Sequence, residues 1–311
     1  MRLAGEIGAA VLLAVLAAWL LPGCLELFAL INATVYASLA ILALSLALVW
    51  GFGGILCFGQ AAFFGLGGYA YAVAAINLMD STPAIPIALL APTLFAAGLG
   101  YFMFYGRVSD VYMGVITLTV TLILFKLINS TAGDAWRIGT AHLGGFNGIP
   151  STPPLNLPGD PARAFYPEEV FQVAVLCLAA CYVAARLTLA SRFGRVVVAI
   201  RENELRAELL GYDTRLYKLG IFTIGGGMAG LAGILFANCV FVSPAMFSLP
   251  TTAQVIVWVV AGGLGRLAGP ILACIAIQML TAWAGTLPGL NANLVLGALL
   301  TLIVLLRRRS A

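Results

Sequence analysis

Long apolar runs follow one another along nearly the whole 311-residue chain. Hydrophobic residues make up 62% of the sequence and charged residues only 9%, and the mean hydropathy is +1.05. An apolar run of about 20 residues is long enough to cross a bilayer as a helix. The sequence therefore predicts an all-α, polytopic integral membrane protein with a single transmembrane domain over residues 1–311. No large soluble region is left to host a second activity.

We predict ten membrane elements, most of them close to the length that a spanning helix needs. The eighth is too short, so we predict a half-span that continues into the ninth after the break Gly262-Gly263-Leu264-Gly265. The first is predicted to be a retained span rather than a signal peptide, because Leu-Pro-Gly-Cys is a poor cleavage site. The elements are residues 5–22, 27–50, 55–78, 83–105, 111–130, 167–190, 216–242, 251–264, 268–285 and 290–306.

The stretch Arg192–Lys218 concentrates charge in a chain that otherwise has little. It holds six basic and four acidic side chains, and such a residue costs about 2.5–3.5 kcal/mol at the centre of a membrane helix. We therefore expect residues 191–217 to form a loop in water between two spans. Asn203 is a predicted N-cap of a short helix that runs to Leu210, with Gly211 at its C′ position.

An amphipathic pattern runs through the same charged stretch. Its predicted apolar face consists of Val197, Ile200, Leu205, Leu209 and Leu210. The residues alone leave two interpretations open. The stretch is either a docking helix held between two spans or a solvated loop whose charges only fix the topology.

Lysine and arginine are distributed unequally between the two sides of the predicted membrane, and cytoplasmic loops are the side enriched in them. With an even number of spans, the outer loops hold only Arg137 and Arg163. The inner side holds Arg2, Arg107, the cluster from Arg186 to Lys218, Arg266 and Arg307 to Arg309. We therefore predict that both termini and the charged loop are cytoplasmic and that the loop 131–166 lies outside.

Glycine is concentrated in the segment from Trp50 to Ala75, which holds seven glycines at 51, 53, 54, 59, 65, 67 and 68. This density indicates either a broken helix that lines a cavity or tight helix packing, and the residues leave both open. Gln60 is a polar side chain among these glycines and needs a partner or water. Elsewhere in the spans, Thr117 and Thr121 share one helical face, and Gln254 enters the eighth element from outside.

Four motifs carry a resemblance to a known family. Arg-Phe-Gly-Arg at 192–195 is followed by Ala-Ile-Arg-Glu-Asn-Glu at 199–204, then by Ala207, Gly211 and Lys218. The other three are the Gly-rich segment from Trp50, Leu143-Gly-Gly-Phe-Asn-Gly-Ile-Pro, and the segment Val255–Pro270. Together they resemble the permease subunits of branched-chain amino acid ABC importers. The chain departs from that family at Gln60, where His is frequent, and at Leu143, where Thr is usual. Importer permeases in general carry a Glu-Ala-Ala motif, and this chain has Leu205 and Arg206 in place of its Glu and first Ala.

The resemblance implies a membrane-spanning permease subunit in the cell inner or plasma membrane. Its expected partners are the lipid membrane, a second permease subunit, two cytoplasmic ATPase subunits and an extracytoplasmic solute-binding protein. The ATPase-coupling residues that it implies are Arg195, Arg201, Glu202, Asn203, Glu204, Leu205, Ala207, Leu209, Gly211 and Lys218. The candidates for the translocation path are Gln60, Thr117, Thr121 and Gln254. The expected substrates are branched-chain or related hydrophobic amino acids, with urea or short amides as the alternative within the family.

Several function classes are disfavoured by what the sequence lacks. No P-loop motif is present, since neither Lys126 nor Lys218 follows a Gly-rich loop, so ATP hydrolysis is expected on separate chains and the protein is not expected to be an enzyme. The six cysteines lack metal-ligand spacing, and the basic residues lie at membrane edges, so no cofactor and no nucleic-acid partner are predicted. A stand-alone secondary transporter or channel remains the alternative from another class, although no carboxylate pair lies at mid-membrane to form an ion relay.

Overall fold

The computed structural model describes residues 2–133, 135–150, 152–285 and residue 297. Within these residues, eight helices are long and apolar enough to cross a membrane, which confirms the predicted all-α, polytopic class. The helices are α1 Arg2–Cys24, α2 Leu27–Leu46, α3 Gln60–Leu78, α4 Ser81–Tyr105, α5 Asp110–Asn129, α6 Pro167–Ala190, α7 Arg192–Glu202, α8 Glu204–Leu209, α9 Thr214–Ala237, α10 Leu249–Gly262 and α11 Ala268–Gly285.

The first nine predicted elements each coincide with a helix, and the tenth, residues 290–306, lies outside the described residues. Two predicted boundaries are wrong. The third element begins at Gln60 rather than at residue 55, because the glycine-rich chain before it is not helical. The seventh ends at Ala237 rather than at residue 242. The eighth, α10, has only 14 residues, as expected for a partial span, and it packs against α11 across a turn at residues 263–267.

The centre of the bundle is formed by α2, α3, α4 and α9, which pack closely on one another. Small residues allow this approach: a Cβ atom on Gly67 of α3 would collide with the backbone of Gly230 of α9. Without a hydrophobic driving force in lipid, close backbone packing of this kind holds membrane helices together. Helices α1 and α6 pack on the α2 side of the bundle, and α10 and α11 also contact α2.

A break in the helical backbone separates α2 from α3. Helix α2 continues as a π-helical segment, Ala47–Phe52, and residues 53–59 then leave the helix before Gln60 begins α3. The widened turn is visible in the bond from the Gly53 amide to the Leu48 carbonyl, 3.1 Å. The glycine cluster therefore contains both predicted features, a broken helix at residues 53–59 and tight packing at Gly67. Turns of the π-helical kind are frequent at functional sites.

The two ends of the bundle differ in structure. At one end an ion pair joins Glu6 of α1 to Arg186 of α6, beside the charged stretch that follows α6. At the other end the loop 131–166 is ordered by two hairpins, β1 Arg137–Ile138 with β2 Ala141–His142 and β3 Asn156–Leu157 with β4 Asp160–Ala164. The start of α1 and the charged stretch therefore lie at the same end, away from the long loop, as the topology prediction requires of them.

The long loop is fastened to the helix ends by asparagine side chains. Asn156 donates to Asp80 Oδ1 at 2.9 Å and accepts from the Ser81 amide at 2.6 Å. Asn238, after α9, accepts from the Leu155 amide at 2.8 Å. The hydrogen bonds from Asn156 and from the Thr82 amide hold the pKa of the Asp80 carboxyl below its usual range. The loop is thus a structured cap on this end of the bundle.

Candidate coupling surface and translocation path

The charged stretch forms two helices, α7 and α8, rather than one. Asn203 separates them in an extended conformation, φ −160° and ψ 99°, and its side chain accepts from the Arg206 amide at 2.9 Å. An asparagine in this position satisfies one of the free amides of the first turn. The predicted N-cap at Asn203 is therefore confirmed.

Helix α8 ends in a glycine-dependent turn. The Gly211 amide donates to the Glu208 carbonyl at 2.9 Å, and the Tyr212 amide donates to the Ala207 carbonyl at 3.2 Å. Gly211 itself has φ +86°. This pair of bonds, with a left-handed residue at C′, is the Schellman arrangement, in which glycine avoids the steric cost of a Cβ atom. The predicted C′ role of Gly211 is confirmed.

The predicted continuous apolar face is wrong. Val197 and Ile200 of α7 are buried against the chain itself. By contrast, Leu205, Leu209 and Leu210 are 67%, 81% and 71% exposed. The extended backbone at Asn203 reorients α8 relative to α7, so the two apolar sets point to different places. An exposed leucine cluster in an otherwise charged segment is typical of a contact surface.

Ala207 also differs from its expected place. It is one of the residues that the resemblance implies for ATPase coupling, but it is only 3% exposed and faces the protein. Its small size serves the packing of α8 on its own chain, so it lies behind the exposed leucines rather than among them.

Ionic and polar contacts hold α8 against the membrane helices. Lys218 Nζ of α9 lies 2.6 Å from Glu204 Oε2 of α8 and 3.9 Å from Asp110 Oδ1 at the start of α5. The Thr214 hydroxyl of α9 donates to Glu208 Oε1 at 3.1 Å. The exposed leucines are thus carried on a short helix that is fastened at both ends to α9.

Arg201 points toward the membrane helices rather than away from them. Its Nη1 donates to the Gly51 carbonyl at 2.6 Å, in the π-helical segment, and its Nη2 lies 3.5 Å from Glu202 Oε1. Arg195 donates to the Ala190 carbonyl at the end of α6. Among the predicted coupling residues, Leu205, Leu209 and Gly211 face outward and Ala207 is buried. Polar contacts within the chain are made by Arg201, Glu202, Glu204 and Lys218, and of these Arg201 and Glu202 are also exposed.

The structure brings two of the predicted path residues together at the helix break. The Thr117 hydroxyl of α5 accepts from the Phe58 amide at 3.1 Å and donates to the Met113 carbonyl at 2.9 Å. A Cβ atom on Gly59 would lie 2.9 Å from Thr117 Cβ. Gln60 follows directly, so the start of α3 is held against α5 at this point.

Gln60 is 2% exposed and only partly paired. Its Oε1 lies 3.4 Å from the Ser45 hydroxyl, which also bonds the Leu42 carbonyl at 2.7 Å. Among the described residues, its Nε2 has no hydrogen-bond partner. A buried amide without a partner costs about 1–3 kcal/mol, and such a group calls for an explanation. The Gln60 Nε2 atom is therefore available to donate to a bound molecule or to water.

The other two path candidates lie farther from this junction. Thr121 is buried one turn along α5, and its hydroxyl donates to the Thr117 carbonyl at 2.8 Å. Gln254 is half-buried on α10, and within the described residues no hydrogen bond joins it to the other three. Thr119 is exposed on the opposite face of α5, as its spacing predicts.

Other buried polar atoms without partners were not found by sequence reasoning. Among the described residues they include Tyr69 Oη of α3, and Thr252 Oγ1 and Trp258 Nε1 of α10. Trp258 is fully buried, although a tryptophan inside an apolar span gives no sequence signal that its indole N–H lacks an acceptor. Within the described residues, no group of three or more His, Cys, Asp or Glu side chains could hold a metal ion.

Comparison with known proteins gives a family for this arrangement. Residues 28–305 match the family described as branched-chain amino acid transport system / permease component. The chain is 30% identical over 265 residues to the high-affinity branched-chain amino acid transport system permease protein LivM of Escherichia coli, which covers 76% of this chain and 59% of that protein. It is 26% identical over 234 residues to a probable branched-chain amino acid transport permease protein LivM of Methanocaldococcus jannaschii, 63% of each chain.

A further relative matches over a shorter stretch of the chain. The inner membrane ABC transporter permease protein YjfF of Escherichia coli is 30% identical over 146 residues, 44% of each chain. No solved structure matches the chain. The chain spans 59% of the length of the first curated relatives it matches. Because the family match runs from the start of α2 to residue 305, the chain belongs to the family of permease components of branched-chain amino acid transport systems.

Proposed function

We propose that this chain is the membrane-spanning permease subunit of an ABC importer for branched-chain amino acids. A second permease subunit completes the membrane part, two cytoplasmic ATPase subunits supply the energy, and an extracytoplasmic binding protein delivers the substrate. The observation that carries the proposal is the exposed leucine cluster on α8, in a chain whose relatives are named as permeases of branched-chain amino acid transport.

The ATPase is proposed to dock on α8. Leu205 and Leu209 are one turn apart and exposed, and burial of each in a groove contributes about 1.5–3 kcal/mol. The surrounding charges, Glu202 among them, contribute mainly to rate and specificity, because exposed ion pairs in water are weak. Movement of α8 then passes to α9 and α5 through Lys218 and Glu204, which join these helices.

The path is proposed to run beside the helix break. Gln60, Thr117 and Thr121 offer polar atoms there, and Gln254 offers another on α10. In this proposal the start of α3 supplies one unsatisfied polar atom, Gln60 Nε2, that a substrate can use, as discontinuous membrane helices do in transporters. The single transmembrane domain over residues 1–311 would then be one moving part of a two-subunit pore.

The test is uptake by the complex reconstituted in proteoliposomes with its ATPases, second permease subunit and binding protein. Uptake of radiolabelled leucine, isoleucine or valine that requires ATP on the ATPase side supports the importer. Uptake of urea or acetamide instead of amino acids, after capture by the same binding protein, supports the alternative substrate class. Uptake by this chain alone without ATP would overturn the importer and support a stand-alone carrier.

Orientation has its own test. Reporters fused after Arg309 and inserted near Asn203 are expected to be cytoplasmic, and one near Gly159 is expected to be outside. The skew of basic residues supports this arrangement. A reporter near Asn203 that reads out on the outer side would leave the docking proposal without support.

A further inference from the structure

The contact between Arg201 and Gly51 joins the charged stretch to the interior of the bundle. Gly51 lies in the π-helical segment Ala47–Phe52, and the helix ends within two residues of it. The last carbonyls of a helix need partners from outside the helix. The Gly51 carbonyl takes Arg201 Nη1 as its partner, at 2.6 Å. A charged donor at the carbonyl end of a helix also interacts favourably with the helix dipole.

The backbone around Arg201 leaves no room for side chains. Gly54 has φ +70°, and a Cβ atom on it would lie 2.8 Å from Arg201 Cγ. A Cβ atom on Gly51 would lie 3.1 Å from the amide nitrogen of Gly265, in the turn between α10 and α11. The arginine stem therefore lies along a glycine surface that is shared by the helix break and the α10–α11 turn.

The contact between Arg201 and Gly51 connects the proposed docking helix α8 with the proposed path beside the helix break. Arg201 lies two residues before Asn203, after which α8 carries the exposed leucines. Ile200, beside it, is buried, so α7 is fixed to the chain. On the other side, the break runs from Gly53 to Gly59, and its Phe58 amide donates to Thr117 immediately before Gln60.

We infer that Arg201 is a positioning residue that transmits movement of α7 and α8 to the helix break in front of α3. The inference rests on the proposed function and gives Arg201, a predicted coupling residue, a role inside the chain. We place the moving element in the segment Ala47–Phe52, because it accepts the Arg201 bond, ends at the break, and is a π-helical turn of the kind that is frequent at functional sites. Displacement of Arg201 moves the Gly51 carbonyl, and the break then alters the position of Gln60 relative to Thr117.

The experiment uses the complete complex and separates docking, hydrolysis and transport. The test variant is Arg201→Gln, whose side chain is uncharged and too short to contact the Gly51 carbonyl. The matched control is Arg192→Gln, on the exposed start of α7. Measured quantities are the amount of ATPase that co-purifies, the rate of ATP hydrolysis and the rate of substrate uptake. We expect Arg201→Gln to retain co-purification and hydrolysis but to lower uptake about tenfold, the effect of one lost charge-assisted hydrogen bond. Arg192→Gln is expected to match the wild type in all three.

A second variant keeps the test decisive if Arg201→Gln fails to fold. Gly54→Ala keeps the Arg201 side chain, but its Cβ atom would lie 2.8 Å from Arg201 Cγ on a backbone with φ +70° that alanine resists. The contact is therefore displaced, and the same selective loss of uptake is expected. The inference is overturned if uptake per ATP hydrolysed stays at the wild-type value in both variants. It is equally overturned if co-purification falls in parallel with uptake, since Arg201 would then serve docking. A wild-type complex without ATP-dependent uptake would instead contradict the proposed function.

Discussion

The ammonium group of Lys218 lies 2.6 Å from the carboxylate of Glu204. Lys218 belongs to α9 and is 13% exposed, whereas Glu204 begins α8. Asp110 of α5 also lies near the ammonium group, 3.9 Å away. One basic side chain therefore fixes the short exposed helix to two membrane helices, and this gives α8 a rigid support.

Replacing Lys218 tests this support. Lys218→Met is expected to weaken co-purification of the ATPase about three- to tenfold, because a partly buried carboxylate loses its partner and α8 loses its brace. The double variant with Glu204→Gln is expected to be no worse than the single one, since both remove the same interaction. Lys126→Met, at an exposed position on α5, is the matched control. Fully additive losses would show that the two residues act separately.

The exposed leucines are expected to dominate docking. Leu205→Ala and Leu209→Ala should each weaken association by about 1.5–3 kcal/mol, the contribution of one buried leucine. Glu202→Ala removes an exposed charge and its ion pair with Arg201, which is weak in water, and should change association by less than about 1 kcal/mol. Titration of the purified ATPase against the permease in detergent measures both. If Glu202→Ala abolishes binding and the leucine variants do not, the surface binds by charge.

Substitutions in the turn after α8 test the effect of backbone conformation separately from the effect of side-chain contacts. Gly211 has φ +86°, and no atom of the described residues lies within 4 Å of a Cβ position, so within this chain Gly211→Val acts through the backbone. Valine resists the left-handed region, whereas asparagine tolerates it. We expect Gly211→Val to reduce ATPase co-purification and Gly211→Asn to retain most of it, with equal amounts of both chains in the membrane. Equal binding by the two variants would contradict the need for the turn.

Gln60 gives a prediction in which stability and activity move in opposite directions. Gln60→Leu removes a buried N–H without a partner, so the thermal stability of the chain should hold or rise. Substrate uptake should fall, because a polar group of the proposed path is lost. Thr119→Val, on the exposed face of α5, is the control and should leave both unchanged. Unchanged uptake in Gln60→Leu would remove Gln60 from the path.

The spans and the ends of α8 could be predicted because local chemistry determines them. Apolar runs give the nine helices that coincide with predicted elements, and Asn203 and Gly211 determine where α8 begins and ends. The direction of α8 could not be predicted. The single residue Asn203 adopts an extended conformation that turns α8 away from α7, so that Val197 is buried and Leu205 is exposed.

Contacts between distant parts of the chain could not be predicted from the sequence either. Arg201 and Gly51 are 150 residues apart, and only tertiary packing brings the guanidinium to the π-helical segment. Likewise the sequence indicates that Gln60 needs a partner, but only the fold shows that its Nε2 has none while Thr117 is satisfied by the backbone. Buried polar groups of this kind depend on the complete packing arrangement.

The central claim is that α8 is the surface on which an ATPase docks. The most direct measurement is photo-crosslinking in the assembled complex, with a photoreactive amino acid placed at Leu205 or Leu209 and, as the control, at Phe146 in the loop at the opposite end. The account predicts an adduct with the mass of the ATPase subunit from both leucine positions and none from Phe146. An ATPase adduct from Phe146, or none from Leu205 and Leu209, would contradict it.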